Sequence, residues 1–317
     1  MDQKCRIALL GECMIELRGQ MFGAMQQNFG GDTLNTAVYL ARLGRDSGIE
    51  VAFATELGTD AYSDAMIAAW EKEQIDTSLV LHEAGRMPGL YTIQVDENGE
   101  RTFYYWRDSS AAKHYFDGPS SPLEERIDAP DGLDALYYSG ISLAVLSPES
   151  RERLFRCADR LRARGGRVMF DNNYRARLWP GGHAEAREWY QRAFATCDMA
   201  LITLDDHQAL LEIADADAAI GDAYALAASE VIVKRGGEPT LIRIAGQPPV
   251  AVPTFKVGKV VDTTGAGDSF AGGYLAARLQ GLAPEASARC GNKLASIVIQ
   301  HSGAIIPAEA MPVFVFV

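Results

Sequence analysis

Short apolar runs alternate with longer amphipathic stretches along most of the chain, and that spacing predicts strand–helix–strand units. Residues 6–10 form an apolar run that ends at Gly11-Glu12 and reads as a buried strand. Met14-Ile15-Glu16-Leu17 and the polar stretch to Phe29 lose the periodicity, so this segment is expected to leave the main body. A helix is predicted from Gly30-Gly31-Asp32-Thr33-Leu34-Asn35 to about Leu43, stopped by Gly44 and capped by Asp32 or Thr33. A strand at 50–54 and a helix at 60–74 follow. Then Tyr91-Thr92-Ile93-Gln94-Val95 alternates, Asn98-Gly99 suits a two-residue turn, and Phe103-Tyr104-Tyr105-Trp106-Arg107 returns as the second arm of a hairpin. Period two puts Tyr105 and Arg107 on one face; a two-residue turn would put Tyr91 on the other, beside Trp106. From residue 134 strands at 136–139, 168–171, 199–202 and 231–234 alternate with helices at 148–164, 184–195, 205–211 and 222–228. Stretches 240–244 and 250–254 look like antiparallel additions, and two helices close the chain, the last over 284–300. The expected class is α/β: a mostly parallel sheet covered by helices on both faces, with ligands beyond the strand carboxyl ends. The 13–29 segment and the hairpin, about 86–115, interrupt it and together suit a small β lid on a single domain spanning 1–317.

The first of the two closing helices has an unusual start. Asp262-Thr263-Thr264-Gly265-Ala266-Gly267-Asp268 offers bare backbone where Ser, Asp or Asn would normally cap. The amides of Gly265, Ala266 and Gly267, with the positive end of the macrodipole behind them, make an anion site that no side chain blocks. Asp268 in the first turn is expected to be ionised and able to take a proton from a hydroxyl at neutral pH. An anion hole beside a base is equipment for moving a phosphoryl group onto an alcohol. Taken alone, the four residues fit an ordinary strand–helix turn equally well.

Composition narrows the partners. A net charge of −12 and a pI near 4.9 disfavour nucleic acid and anionic membrane surfaces, so an anionic substrate must be met by local cations or Mg2+. The five cysteines show no paired spacing and the five histidines no metal pattern, and no apolar run reaches membrane-spanning length. A cytoplasmic protein with reduced thiols is expected. The first strand turn, Leu10-Gly11-Glu12-Cys13, lacks a dinucleotide fingerprint; Gly258-Lys259-Val260 is not a Walker A loop.

Gly30-Gly31 with Asn35 near one end and Asp262 through Asp268 near the other resemble the ribokinase-like (PfkB-type) carbohydrate kinases. Phe103 to Arg107, Phe170-Asp171-Asn172-Asn173-Tyr174-Arg175 with Leu178-Trp179, and Gly303-Ala304-Ile305-Ile306-Pro307 narrow the resemblance to the bacterial kinases of 2-keto-3-deoxygluconate. The resemblance implies a three-layer fold and an ATP- and Mg2+-dependent transfer to the sugar's terminal hydroxyl, giving 2-keto-3-deoxy-6-phosphogluconate. Asp268 is then the base, and Gly265, Ala266 and Gly267 the hole for the moving phosphoryl group. Gly31, Asn35, Tyr91 and Tyr105 hold the sugar, and Arg107 and Arg175 suit its carboxylate, which a guanidinium fork pairs in bidentate fashion. Asn173, Arg175, Thr203, Lys234, Gly236, Gly237, Thr240 and Asn292, with the Gly265–Gly267 loop, are implied for the nucleotide. One departure is Thr203-Leu204-Asp205-Asp206 where the wider family often has Asn-x-x-Glu near Mg2+; Asp206 suits a contact through water, and no direct metal ligand is assigned. A different sugar such as fructose, ribose or the galactonate epimer, and a non-catalytic sugar-binding regulator, are the competing readings. A homo-oligomer is expected from the lid aromatics, and the apolar tail from Met311 suits packing on the sheet or on a partner subunit.

Overall fold

The computed structural model describes residues 4–95 and 101–314. In chain order the strands and helices are β1 (Cys5–Leu10), β2 (Met14–Gly19), β3 (Met25–Gly30), α1 (Asp32–Gly44), β4 (Ile49–Leu57), α2 (Ala61–Lys72), β5 (Val80–His82), β6 (Gly89–Val95) and β7 (Arg101–Trp106). They continue with α3 (Pro122–Asp128), β8 (Ala135–Ser139), α4 (Gly140–Val145), α5 (Pro148–Ala163), β9 (Arg167–Asp171), α6 (Gly182–Thr196), β10 (Met199–Thr203), α7 (Leu204–Leu211) and α8 (Ala216–Ala225). Last come β11 (Glu230–Arg235), β12 (Glu238–Ile244), β13 (Val250–Val252), α9 (Ala266–Leu279) and α10 (Pro284–Val298).

Nine strands form the main sheet in the order β13-β12-β11-β10-β9-β8-β1-β4-β5. From β11 to β5 neighbours run parallel; β12 and β13 are the antiparallel additions expected at one edge. Parallel strands need crossovers, and those helices bury both faces, which is why the central strands carry continuous apolar runs such as Ile7–Leu10 and Val231–Val233 rather than an alternation. On one face Leu10, Leu136, Tyr138 and Phe170 pack with Leu154 and Phe155 of α5 and Tyr190 and Phe194 of α6. On the other, Ile7, Leu9, Tyr137 and Met169 pack with Leu34 and Val38 of α1 and Phe270 and Tyr274 of α9.

The chain leaves β1 for β4 on one side and returns to β8 on the other, so strand order reverses at β1, where a crevice opens beyond the carboxyl ends. A second sheet, β3-β2-β6-β7, covers it. The 13–29 segment that lost its periodicity is half of this sheet and the hairpin is the other half. The Asn98-Gly99 turn lies outside the described residues; the register of the described strands sets Tyr91 opposite Tyr105 and not opposite Trp106. Val95 pairs with Arg101 and Tyr91 with Tyr105, so the rings stack on the inner face, centroids 5.6 Å apart, while Trp106 faces out.

Other expectations shift in detail. α8 begins six residues before the predicted start, because Asp215 caps it by accepting from Ala218 N at 2.8 Å. β5, α3 and α4 were not anticipated; α3 carries a Ser121–Glu124 capping box that the sequence displays. In the described part of the tail, Met311 and Phe314 sit on the cluster of Tyr39, Leu294, Val298 and Ile306 between α1 and α10.

Candidate active site

Between lid and sheet lies a cleft of about 760 Å3. Gly31, Asn35, Tyr91, Tyr105, Arg107, Asn173, Arg175, Thr203, Lys234, Gly265, Ala266, Gly267 and Asp268 all line it, although the sequence separates the first from the last by most of the chain.

α9 supplies the floor. Its N-cap is Gly265, with no side-chain cap and φ +73°, a left-handed conformation that favours glycine. A Cβ there would lie 2.7 Å from the carbonyl of Ala304, so the loop behind also excludes other residues. The turn this creates corrects the three-amide reading: Ala266 N–H is spent on the carbonyl of Thr263 at 3.2 Å. The amides of Gly265, Gly267 and Asp268 have no backbone partner among the described residues and remain for an anion. Lys234, at the end of β11, stands beside this terminus: its Nζ lies 3.6 Å from where a Gly267 Cβ would be, and it donates to Asp171 Oδ2 at 2.7 Å.

α1 faces α9 across the floor and is also uncapped. Its N-cap is Gly31, which corrects the expected Asp32 or Thr33 cap. Here glycine is required by close approach: a Cβ would meet the Glu12 carbonyl at 2.0 Å. Asp32 is turned instead to Asn173, whose Nδ2 donates to it at 2.6 Å, and Asn173 adopts a non-glycine φ of +20° at the end of β9. Asn35, one turn in, donates from Nδ2 to Asp268 Oδ2 at 2.8 Å, and its own buried Oδ1 has no hydrogen-bond partner among the described residues.

Asp268 is therefore held between two helix N-termini, yet it is not simply kept ionised. Burial first, and the nearby Asp32 carboxylate second, push its pKa up to about 7, against the opposing pull of Asn35 and Lys234. That value suits a base that must take a proton and later release it near neutrality. Asp32 is raised as well, by burial and by Asp171.

The lid brings rings and cations. Tyr91 donates to the buried carboxylate of Glu16, and burial raises both groups. Arg107 is ion-paired to Glu12, which is 2% exposed and whose Oε1 has no hydrogen-bond partner among the described residues. Arg175 donates from Nη1 to both carboxylate oxygens of Asp206 at 3.0 Å. Arg101 pairs with Asp262 at 2.5 Å, and Asp262 also accepts from the amides of Thr264 and Gly303, each at 2.8 Å.

Four predicted nucleotide residues fall outside this lining. Thr240 Oγ1 donates to Asn292 Oδ1 at 2.8 Å and Asn292 Nδ2 to Pro253 O at 3.2 Å, so the pair pins β12 to α10. Gly236 and Gly237 sit exposed in the β11–β12 turn, two residues beyond Lys234. Conversely, Glu12, Asp171, Arg101 and Arg177 line the cleft without having been singled out. For Glu12 and Asp171 the signal was available, since each stands at the carboxyl end of a central parallel strand.

As to Mg2+, among the described residues no cluster of three or more His, Cys, Asp or Glu could hold a metal. The donor set nevertheless fits a hydrated ion arriving with phosphates: Asp171, Asp205 and Asp206 present carboxylates to the same cleft, and Mg2+ keeps several waters in such sites.

A glycine-started helix with a carboxylate in its first turn lies under a β lid on a parallel sheet, and the model of the pfkB family of carbohydrate kinases matches residues 5–311. The chain belongs to that family. It is 48% identical to the 2-dehydro-3-deoxygluconokinase of Escherichia coli K12 over 97% of this chain and 99% of that one. It is 45% identical to the enzyme of the same name from Dickeya dadantii, over 96% and 98%. In fold it superposes on a candidate ribokinase II of E. coli in complex with ATP and Mg2+, at TM-score 0.81 and 20% identity, covering 95% of this chain and 94% of that one.

Proposed function

We propose that the protein is an ATP-dependent kinase of 2-keto-3-deoxygluconate, the activity named for the bacterial relatives above. The observation that carries the chemistry is Asp268, poised near pKa 7 beside the unpaired amides at the start of α9. The terminal hydroxyl of the sugar gives its proton to Asp268, and its oxygen bonds to the γ-phosphorus of ATP. The bond from that phosphorus to the bridging oxygen breaks, and ADP leaves with the electron pair. Gly265 and Gly267 N–H, with Lys234, hold the charge on the moving phosphoryl oxygens. The unpartnered Asn35 Oδ1 accepts from a sugar hydroxyl while its Nδ2 orients Asp268. Gly31 lets the sugar lie against the start of α1, and Tyr91 and Tyr105 wall it from the lid. Asn173, Arg175 and Thr203 border the nucleotide phosphates; Gly236 and Gly237 flank the base; Thr240 and Asn292 support that wall without touching it. Asp205 and Asp206 would hold Mg2+ through water, and the ion would supply positive charge against the nucleotide phosphates.

The residues act as one catalytic domain with lid segments inserted, placed in the cytoplasm, where ATP is found and all five free cysteines stay reduced. The outer lid face, with Tyr104 and Trp106 exposed, supports a homo-oligomer. The test is a panel of 2-keto-3-deoxygluconate, its galactonate epimer, gluconate, fructose and ribose, read by ADP release with ATP and Mg2+. The keto-deoxy acid is expected to give the highest kcat/KM; a neutral sugar in first place would refute the assignment.

A further inference from the structure

An anionic nucleotide must reach a protein whose own net charge is −12. Acids outnumber cations in the cleft lining, seven to five, so the field at its mouth opposes what it must take in. Residues 231–261 depart from that balance, with five cations and a single acid, Glu238. Lys234 is inside the cleft, bonded to Asp171, and Arg243 is toward the far end of β12, where it donates to the carbonyls of Ala228 and Leu226. Lys256 and Lys259 lie elsewhere, on the segment that joins β13 to the start of α9.

That segment is fastened to the nucleotide end of the cleft. Asn292 Nδ2 donates to Pro253 O at 3.2 Å, and Thr254 Oγ1 donates to Gly237 O in the β11–β12 turn at 2.5 Å. At the other end Val261 N donates to Ile299 O at 2.8 Å, and Val260 and Val261 line the cleft. Between these anchors Lys256 and Lys259 are exposed. Lys293, exposed on α10, joins them: its Nζ lies 5.2 Å from the ring centroid of Phe255, which keeps that charge against the segment. Among the described residues none of the three is paired with an acid. Three ammonium groups without counter-charge at one rim make a patch of positive potential on an otherwise acidic protein.

We propose that Lys256, Lys259 and Lys293 form a cationic rim that steers the nucleotide into the cleft, acting on its approach and not on the bound complex. The inference rests on the ATP-dependent reading above and adds how a polyphosphate overcomes the protein's own field. Long-range attraction raises the rate of encounter, is screened by salt, and leaves the rate of departure to the contacts inside.

The experiment measures association of mant-ATP, a fluorescent ATP, with the full-length protein by stopped flow with Mg2+ present. At an ionic strength of about 0.01 M, where charges act over about 30 Å, Lys256→Gln/Lys259→Gln/Lys293→Gln should associate about tenfold more slowly than wild type. At about 1 M, where that range is about 3 Å, the two should converge. Dissociation should be the same in both, and Lys256→Arg/Lys259→Arg/Lys293→Arg should associate as wild type does, because the charge is kept. Lys4→Gln/Lys72→Gln/Lys113→Gln changes the net charge equally at sites that do not line the cleft, and should slow association by less than about twofold. An unchanged low-salt rate in the rim variant, or an equal slowing in the control variant, overturns the rim while leaving the kinase reading intact. A loss that survives at high salt, or that lies in dissociation, overturns it too, by making the lysines contacts of the bound nucleotide. A wild type that does not bind mant-ATP at all removes the ATP-dependent reading and this one together.

Discussion

Replacing Asp268 by Asn exchanges one carboxylate oxygen for an amide nitrogen and keeps the shape of the side chain, so it separates chemistry from binding. Turnover should fall by about 10² to 10⁴, as expected for a lost general base, with both ligands still bound in calorimetry. In the wild type, kcat/KM should climb with pH along a limb near 7 as Asp268 ionises, and the Asn variant should lack that limb. Stability gives an independent check. Unfolded Asp268 ionises near pH 4 and folded Asp268 near 7, so wild-type stability falls relative to Asn as pH rises through that window. Without ligand, Asp268→Asn should therefore gain at least about 2 °C in Tm over wild type at pH 8, and the difference should vanish below pH 4. Asp268 was legible from its place in Gly-Ala-Gly-Asp, but its protonation was not. The groups that raise it, Asp32 and Asp171, lie far off in sequence and meet it only through sheet order.

Among elements, α1 and α9 are the pair on which the geometry turns, and both begin without a side-chain cap. The α9 start could be read from the sequence because glycines replace capping residues. The α1 start misled, because Asp32 and Thr33 are good capping types; the fold diverts Asp32 to Asn173. Tyr39 of α1 further braces the loop behind Gly265, donating to Ala304 O at 2.6 Å and accepting from Ile306 N at 3.1 Å. Tyr39→Phe leaves two buried backbone groups short of a partner and should cost about 1–3 kcal/mol in denaturant unfolding. The lid hairpin was visible from its alternation, whereas its register was not, since a two-residue turn at Asn98-Gly99 would set Tyr91 opposite Trp106. That one-residue difference decides whether Tyr91 faces the cleft.

For the whole molecule, the strand–helix rhythm gave the class of fold, and the apolar strands announced a sheet buried on both faces. What rhythm could not give is which residues meet across it: Thr240 and Asn292 grip each other, and Met311 and Phe314 pack beside Leu294 and Val298 of α10. Assembly is tested at this scale too. Tyr104 and Trp106 are 44% and 62% exposed on the outside of the lid. Trp106→Glu should lower the mass seen by sedimentation velocity to that of one chain; an unchanged mass would place any interface elsewhere.

Asp262 lies where these scales meet, taking Arg101 and, at 3.6 Å, Arg18 from the lid while its oxygens cradle two amides of the loops around the α9 start. Lid and floor thus share one carboxylate, so the placing of the lid strands is tied to the loop at the start of α9. Arg101→Ala should unfasten that linkage: ATP would be spent on water in the absence of sugar, at a rate above wild type in an ADP-release assay. A silent background in that variant would mean the roof latches by other means.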